Sequence, residues 1–258
     1  MLKPAYKEYL KERQIENLRF YKYAAVDKSP ISKYILKPYW DFAITLFPEW
    51  IATRLISKEN RPNLITLIGL FFMIFNVIVV CVWSPQLNTE APNWINFSFA
   101  IGLWLYSTFD NVDGRQARRT GTSSPLGELF DHGCDAVNCT YVALLQSAAL
   151  GLGHSPLAAC LLFVTIAGFY LSTAEEYYTG YVNGPTEGII VTCLAFIWSG
   201  IFDRLTLERI GVASWHVRVS EISWLSWLTQ FVLPESTTFA DVFVWGMVAF
   251  FLFTHLPV

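Results

Sequence analysis

The chain carries little charge. Asp, Glu, Lys and Arg make up 15% of its 258 residues, where a soluble globular domain has about 25%. An ordinary water-facing surface is therefore excluded. The five cysteines (Cys81, Cys134, Cys139, Cys160, Cys193) contain no Cys-x-x-Cys pair, so neither a disulfide framework nor a zinc site is implied. They lie in or beside apolar runs and read as small buried hydrophobes. An early apolar block is missing from the charged N-terminal region, so no cleavable signal peptide is visible and the first membrane helix should act as the targeting signal. No internal repeat or low-complexity stretch divides the chain.

What is abundant is apolar sequence, at 53% hydrophobic and 16% aromatic residues. Leu64 to Trp83 runs without a charge for about the twenty residues a helix needs to cross hydrocarbon. Similar runs occupy Trp94 to Phe109, Pro156 to Ala174, Thr186 to Phe202 and Thr237 to Val258, and a sixth, Ala136 to Leu150, follows an acidic stretch. Any one run alone also fits a buried core helix, but six together point to a polytopic membrane protein. The expected fold is all-α: a membrane helical bundle of about six transmembrane helices plus an N-terminal amphipathic interfacial helix. Residues 1–62 form the amphipathic and interfacial segment, and 63–258 the transmembrane core.

Residues 1–38 hold nine Lys/Arg against four acids, a net of +5. Leucine and tyrosine recur there at helical intervals, as in a basic helix lying on an anionic leaflet, although a solvated helix has the same pattern. Tyr39 to Ile56 is interrupted by Asp41, Pro48, Glu49 and Arg54 and reads as interfacial. By the positive-inside rule the N-terminus and the turn holding Arg115, Arg118 and Arg119 face the cytoplasm. The loops Ser84–Asn93 and Gly151–Ser155 lack Lys and Arg and belong on the far side. Asp203 to Ser236 breaks the alternation and stays unassigned.

Between the second and third runs stands Asp110-Asn-Val-Asp113-Gly114-Arg-Gln-Ala117-Arg118, then eight residues, then Gly127-Glu128-Leu-Phe-Asp131-His132-Gly-Cys-Asp135. Ionisable groups beside a membrane are costly, which makes such a cluster a functional candidate. At helical spacing Asp110, Asp113, Gly114, Ala117 and Arg118 share an arc of about 140°, and Glu128, Asp131, His132 and Asp135 one of about 100°. The short turn makes the two helices antiparallel, so the polar faces meet. Four crowded carboxylates repel unless cations neutralise them. Oxygen-only ligands suit Mg²⁺, Mn²⁺ or Ca²⁺ rather than zinc, and paired metals suit phosphoryl chemistry. Gly114, Ala117 and Gly127 let a bulky ligand approach the backbone; each alone also fits close helix packing. Glu128 and His132 stand at i and i+4, so the carboxylate can hold the imidazole and raise its basicity.

This spacing resembles the CDP-alcohol phosphotransferase signature D-x-x-D-G-x-x-A-R, eight residues, G-x-x-x-D-x-x-x-D, with every fixed position met. Within that family the chain most resembles the eukaryotic, particularly fungal, choline- and ethanolaminephosphotransferases. That likeness runs through Tyr21-Lys-Tyr-Ala-Ala-Val-Asp-Lys-Ser29, Lys33-Tyr-Ile-Leu-Lys-Pro-Tyr-Trp40, Pro62-Asn63-Leu-Ile-Thr66, the Glu128-to-Asp135 block and Gly184-Pro-Thr-Glu-Gly188, some two-thirds of the chain.

The resemblance implies that Asp110, Asp113, Asp131 and Asp135 bind two Mg²⁺ or Mn²⁺ ions. It also implies that Gly114, Ala117, Arg118 and Gly127 surround cytidine diphosphate, and that His132 is the general base, oriented by Glu128. Asn63 either caps the first span or contacts substrate. The implied partners are CDP-choline or CDP-ethanolamine, diacylglycerol and membrane lipids, with a possible homodimer and no nucleic acid. The implied location is the endoplasmic reticulum or Golgi, with the active site facing the cytoplasm. Two departures stand out. Nine residues, Thr53 to Arg61, separate Ala52 from Pro62 where relatives run on directly, and the chain stops after about six helices where eukaryotic members continue. The alternatives are another reaction of the family, with inositol or glycerol phosphate as acceptor, a truncated non-catalytic form, and a cation transporter.

Overall fold

A computed structural model of the chain describes residues 16–17, 20, 26–27, 29–48, 63–88, 91–182, 185–201, 215–222 and 232–255. The basic N-terminal stretch lies largely outside these residues, as does the whole Thr53–Arg61 insertion.

The described residues form a helical bundle. A π-helical turn, Ser32–Leu36, leads into α1 (Lys37–Ala43), which a 3-10 turn at Ile44–Leu46 ends. The long helices follow: α2 (Asn63–Trp83), α3 (Trp94–Thr120), α4 (Pro125–Ala149), α5 (Pro156–Thr179), α6 (Pro185–Gly200) and α7 (Phe239–His255). Five of the six apolar runs reappear within two or three residues at their N-terminal ends. The helices carrying the acidic motif extend further than their apolar parts, because no breaker interrupts the polar residues. α3 continues past Phe109 to Thr120, and α4 starts at Pro125 rather than Ala136. One feature was not expected from periodicity: two-residue strands β1 (Val26–Asp27) and β2 (Tyr181–Val182) pair in parallel. Two residues are too few to carry an alternation pattern.

The turn between the motif helices is locally encoded. Gly121 adopts φ 66° at the end of α3, and Thr122 N–H donates to Ala117 O at 2.9 Å, as in glycine-terminated helices. Ser124 then caps α4 by accepting from Gly127 N–H at 3.1 Å, with Pro125 at the first helical position, where its missing N–H costs nothing.

Packing departs from the simplest expectation. α3 and α4 make little direct contact with each other; α2 packs against both, α6 packs on α3, α5 on α4, and α7 on α5. The polar faces of the motif helices therefore look at each other across a cavity that α5, α6 and α7 also line. Gly102 makes the α2–α3 approach possible. A Cβ there would come within 2.1 Å of Asn76 Nδ2, and Asn76 is itself locked to Ser98 by two hydrogen bonds of 2.7 and 3.0 Å. Small residues at helix crossings serve this purpose in membrane bundles. Met73, Phe99, Leu103, Leu145 and Phe196 are fully buried in the core.

The outer surface is apolar as well. Phe71, Phe75, Ile78 and Val82 form an exposed stripe along α2, with Phe163 and Tyr170 exposed on α5 and Phe253 on α7. Large apolar patches of this kind mark contact with lipid or protein. α2 and α5 are long and apolar enough to cross a membrane; α6 and α7 are apolar but shorter.

Two ends of the bundle are distinguishable. Gly153 N–H donates to Leu87 O at 2.8 Å, so the two loops lacking Lys and Arg lie together. At the opposite end α1 lies along the second half of α3. Tyr39 Oη hydrogen-bonds Thr108 Oγ1 at 3.0 Å and accepts from Trp104 Nε1 at 3.1 Å. Arg115 pairs with Asp41 and stacks over Trp40. In the stretch left unassigned, Trp215 Nε1 donates to Ser199 Oγ at 2.8 Å and its ring packs on Phe243.

Candidate functional site

The site begins with the helical repeat. Asp110 and Asp113 are three residues apart on α3, and Asp131 and Asp135 four apart on α4, so each pair projects from one face. The turn at Gly121–Ser124 brings the faces opposite each other. One oxygen each from Asp110, Asp131 and Asp135 lies within 4.8 Å of the others. Asp113 is buried beside this trio and accepts from Thr66 Oγ1 at 2.6 Å; Thr66 Oγ1 also stands 3.4 Å from Asp131 Oδ1. Asp135 Oδ1 accepts from the buried Tyr106 hydroxyl at 2.6 Å. Asp110 Oδ1 is buried with no hydrogen-bond partner.

These observations fit a divalent cation. An unpaired buried carboxylate oxygen is expensive to leave unsatisfied, and three converging carboxylates repel unless positive charge joins them. The donor set is all oxygen, which suits a hard cation. Among the described residues lining the surrounding cavity, Arg118 is the single Lys or Arg. Arg115 is engaged elsewhere, with Asp41. The trio can hold a metal ion, with Asp113 next to it.

The cavity encloses about 850 Å³, within the range of small-molecule and cofactor sites. Gly114, Ala117, Arg118, Gly127, Glu128 and His132 all line it with the four aspartates. Arg118 Nη1 lies 3.6 Å from where a Gly114 Cβ would stand. The guanidinium thus folds back over the glycine at the cavity wall. Asn63 opens α2 one turn before Thr66; its side chain is outside the described residues.

His132 and Glu128 are joined through a residue of another helix. The His132 ring packs against the Tyr177 ring of α5 at 5.8 Å, and Tyr177 Oη donates to Glu128 Oε1 at 3.4 Å. His132 Nδ1 is buried without a hydrogen-bond partner, so a Glu128 hydrogen bond to that nitrogen is not formed.

Sequence reasoning passed over four residues here. Tyr106 stands four and seven residues before Asp110 and Asp113, a spacing that puts it on their face. Thr66 belongs to the Pro62–Thr66 segment, where no spacing relates it to the aspartates. Tyr177 and Glu176 had no local signal, because α5 reaches the site from more than forty residues away in the chain.

The comparisons agree with this geometry. The family model for CDP-alcohol phosphatidyltransferase matches residues 59–215. The chain is 41% identical over 221 residues to cholinephosphotransferase 1 of Saccharomyces cerevisiae, covering 84% of this chain and 52% of that protein. It is 35% identical over 248 residues to choline/ethanolaminephosphotransferase 1 of Arabidopsis thaliana, with 94% and 58% covered. With ethanolaminephosphotransferase 1 of Homo sapiens the identity is 33% over 220 residues, with 81% and 52% covered. The chain thus spans about half the length of the curated relatives it matches. A family match across more than half the chain, over a fold that gathers the motif aspartates at one cavity, makes this chain a member of the CDP-alcohol phosphatidyltransferase family.

Proposed function

We propose that the chain transfers phosphocholine or phosphoethanolamine from CDP-choline or CDP-ethanolamine to diacylglycerol, releasing CMP. The products are phosphatidylcholine or phosphatidylethanolamine. One observation carries the reading: Asp110, Asp131 and Asp135 converge, with Asp113 adjacent, in a cavity that also holds His132 and the small motif residues.

Asp110, Asp113, Asp131 and Asp135 hold two Mg²⁺ or Mn²⁺ ions in this reading. When bound, such ions neutralise diphosphate oxygens and the phosphate that leaves. His132 takes the proton from the diacylglycerol hydroxyl, as a general base. The freed oxygen forms its bond to the phosphorus bearing the aminoalcohol as the bond from that phosphorus to CMP breaks. Glu128 orients His132 through Tyr177, whose hydroxyl it accepts from and whose ring packs on the imidazole. Gly114, Ala117, Arg118 and Gly127 shape the wall that receives the nucleotide, and Asn63 adds a contact from the start of α2.

In the same reading α2 to α7 form six transmembrane segments over 63–258, and 1–62 is the amphipathic and interfacial segment. The apolar outer stripe of α2 supports this arrangement. The cavity lining reaches Ser123, Ser124 and Pro125 at the Arg-rich turn, which the positive-inside rule puts in the cytoplasm, on endoplasmic reticulum or Golgi membranes. Water-soluble nucleotide enters from that side and the lipid arrives laterally. A homodimer is compatible with the exposed apolar faces.

The deciding assay supplies membranes containing the chain with Mg²⁺, diacylglycerol and either labelled CDP-choline or CDP-ethanolamine. Labelled phospholipid and equimolar CMP are expected. Product formed only when CDP-diacylglycerol and a free polar alcohol are supplied would replace this reading with another reaction of the family.

A further inference from the structure

The cavity contains more carboxylate than the metal chemistry uses. Beyond the four aspartates, Glu128 on α4 and Glu176 on α5 also line it. Glu128 Oε1 is engaged by Tyr177. Glu176 Oε1 is buried and has no hydrogen-bond partner. It stands close enough to Asp135 for the two charges to repel, so its position costs energy that a bound cation would return. The aromatic Phe169 lies two turns earlier on α5 and lines the same cavity, sharing a helical face with Glu176.

The substrate class supplies a matching charge. In a CDP-aminoalcohol only two carbons separate the ester oxygen on the reacting phosphorus from the cationic nitrogen. If that phosphorus sits at the aspartates, the nitrogen must lie within the next few ångströms. A cation that loses hydration on entering the cavity is offset by a carboxylate or an aromatic face. Arg118 is the one fixed cation among the described lining residues and belongs to α3, across the cavity from α5.

We infer that Glu176 is a specificity-determining residue that receives the ammonium group of the aminoalcohol, with Phe169 beside it. This inference rests on the proposed function. A primary ammonium donates hydrogen bonds to the carboxylate, whereas a quaternary one interacts by charge alone. Glu176→Gln keeps an acceptor oxygen but removes the charge, so it penalises the quaternary substrate more.

The test compares the full-length chain and its Glu176→Gln variant, purified in lipid-containing detergent. Three donors are used: CDP-choline, CDP-ethanolamine, and the CDP ester of 3,3-dimethylbutanol, the uncharged isostere of choline. The wild type should prefer CDP-choline over the isostere by tenfold or more in kcat/KM. In the variant that preference should collapse to within about threefold, through a raised KM for CDP-choline rather than a lowered kcat. Inhibition by CMP, which has no aminoalcohol, should be the same for both proteins and reports that the variant is folded. If the variant retains the wild-type preference with CMP inhibition intact, the inference is overturned while the proposed function stands. If CMP inhibition is lost with all transfer, Glu176 is a structural residue and the inference is equally overturned. If the wild type transfers neither aminoalcohol, the proposed function itself falls and takes the inference with it.

Discussion

Thr66 on α2 donates its one hydroxyl proton to Asp113 on α3 across 2.6 Å, and the same oxygen stands 3.4 Å from Asp131 on α4. A single side chain therefore ties together the three helices around the aspartates. It stands where α2 packs against both motif helices. Partners that hold metal-ligating carboxylates govern affinity nearly as strongly as the ligands themselves.

Thr66→Val keeps the shape of the side chain and removes that proton. Its expected effect is a roughly tenfold or greater rise in the Mg²⁺ concentration giving half-maximal transfer. An Mg²⁺ titration of CMP release checks this; an unchanged midpoint would mean that Asp113 is not coupled to the metal.

Tyr106→Phe removes the hydroxyl that donates to Asp135 at 2.6 Å while leaving a buried ring of the same outline. Loss of a hydrogen bond to a charged group costs about 1.5–3 kcal/mol, so the Mg²⁺ midpoint should again rise, by about one to two orders of magnitude. Asp131→Ala and Asp135→Ala each remove one of the converging carboxylates and should abolish transfer. Detectable turnover in either alanine variant would place the cation elsewhere.

His132→Ala should lower turnover by at least a hundredfold, in the range of a lost general base, while CMP inhibition changes little. Tyr177→Phe leaves the ring against His132 and removes only the hydroxyl bound to Glu128, so its expected loss is several-fold at most. Measuring kcat and the CMP inhibition constant in both variants separates chemistry from nucleotide binding. Near-normal turnover in His132→Ala would take His132 out of the base role.

If divalent ions bind where the carboxylates converge, they should stabilise the fold itself. A ligand present at a hundred times its dissociation constant adds about 2.7 kcal/mol. Addition of Mg²⁺ to chelator-treated protein should accordingly raise its melting temperature. Asp110→Asn should blunt that rise, since Asp110 presents the buried oxygen without a partner. Melting curves with and without Mg²⁺ provide the comparison.

Gly102→Ala tests the packing instead of the chemistry. The added carbon would meet the Asn76 amide at 2.1 Å, and Asn76 is fixed by its bonds to Ser98. Overpacking of this kind costs about 1–3 kcal/mol. A lower melting temperature with an unchanged Mg²⁺ midpoint is expected.

Much of this was readable from residue order. The apolar runs gave the long helices, because a span needs length and hydrophobicity and both are local properties. Gly121, Ser124 and Pro125 encode the turn between the motif helices, since capping is a local matter too. The spacings of Asp110 with Asp113 and of Asp131 with Asp135 put each pair on one face through the helical repeat alone. Helix ends were harder to read: α3 runs on to Thr120 because polar residues interrupt hydropathy without interrupting hydrogen bonding.

What tertiary structure decided was which groups meet across helices. No spacing rule relates Thr66 to Asp113, Tyr106 to Asp135, or Tyr177 to His132 and Glu128, because the last group comes from a helix whose position depends on how α4 and α5 pack. The same holds for Glu176, a carboxylate indistinguishable in sequence from its neighbour Glu175 until the bundle turns it into the cavity. Periodicity gives a side chain its direction around its own axis. Only the packing of one helix on another, set here by close approaches such as Gly102 on Asn76, gives that direction a destination.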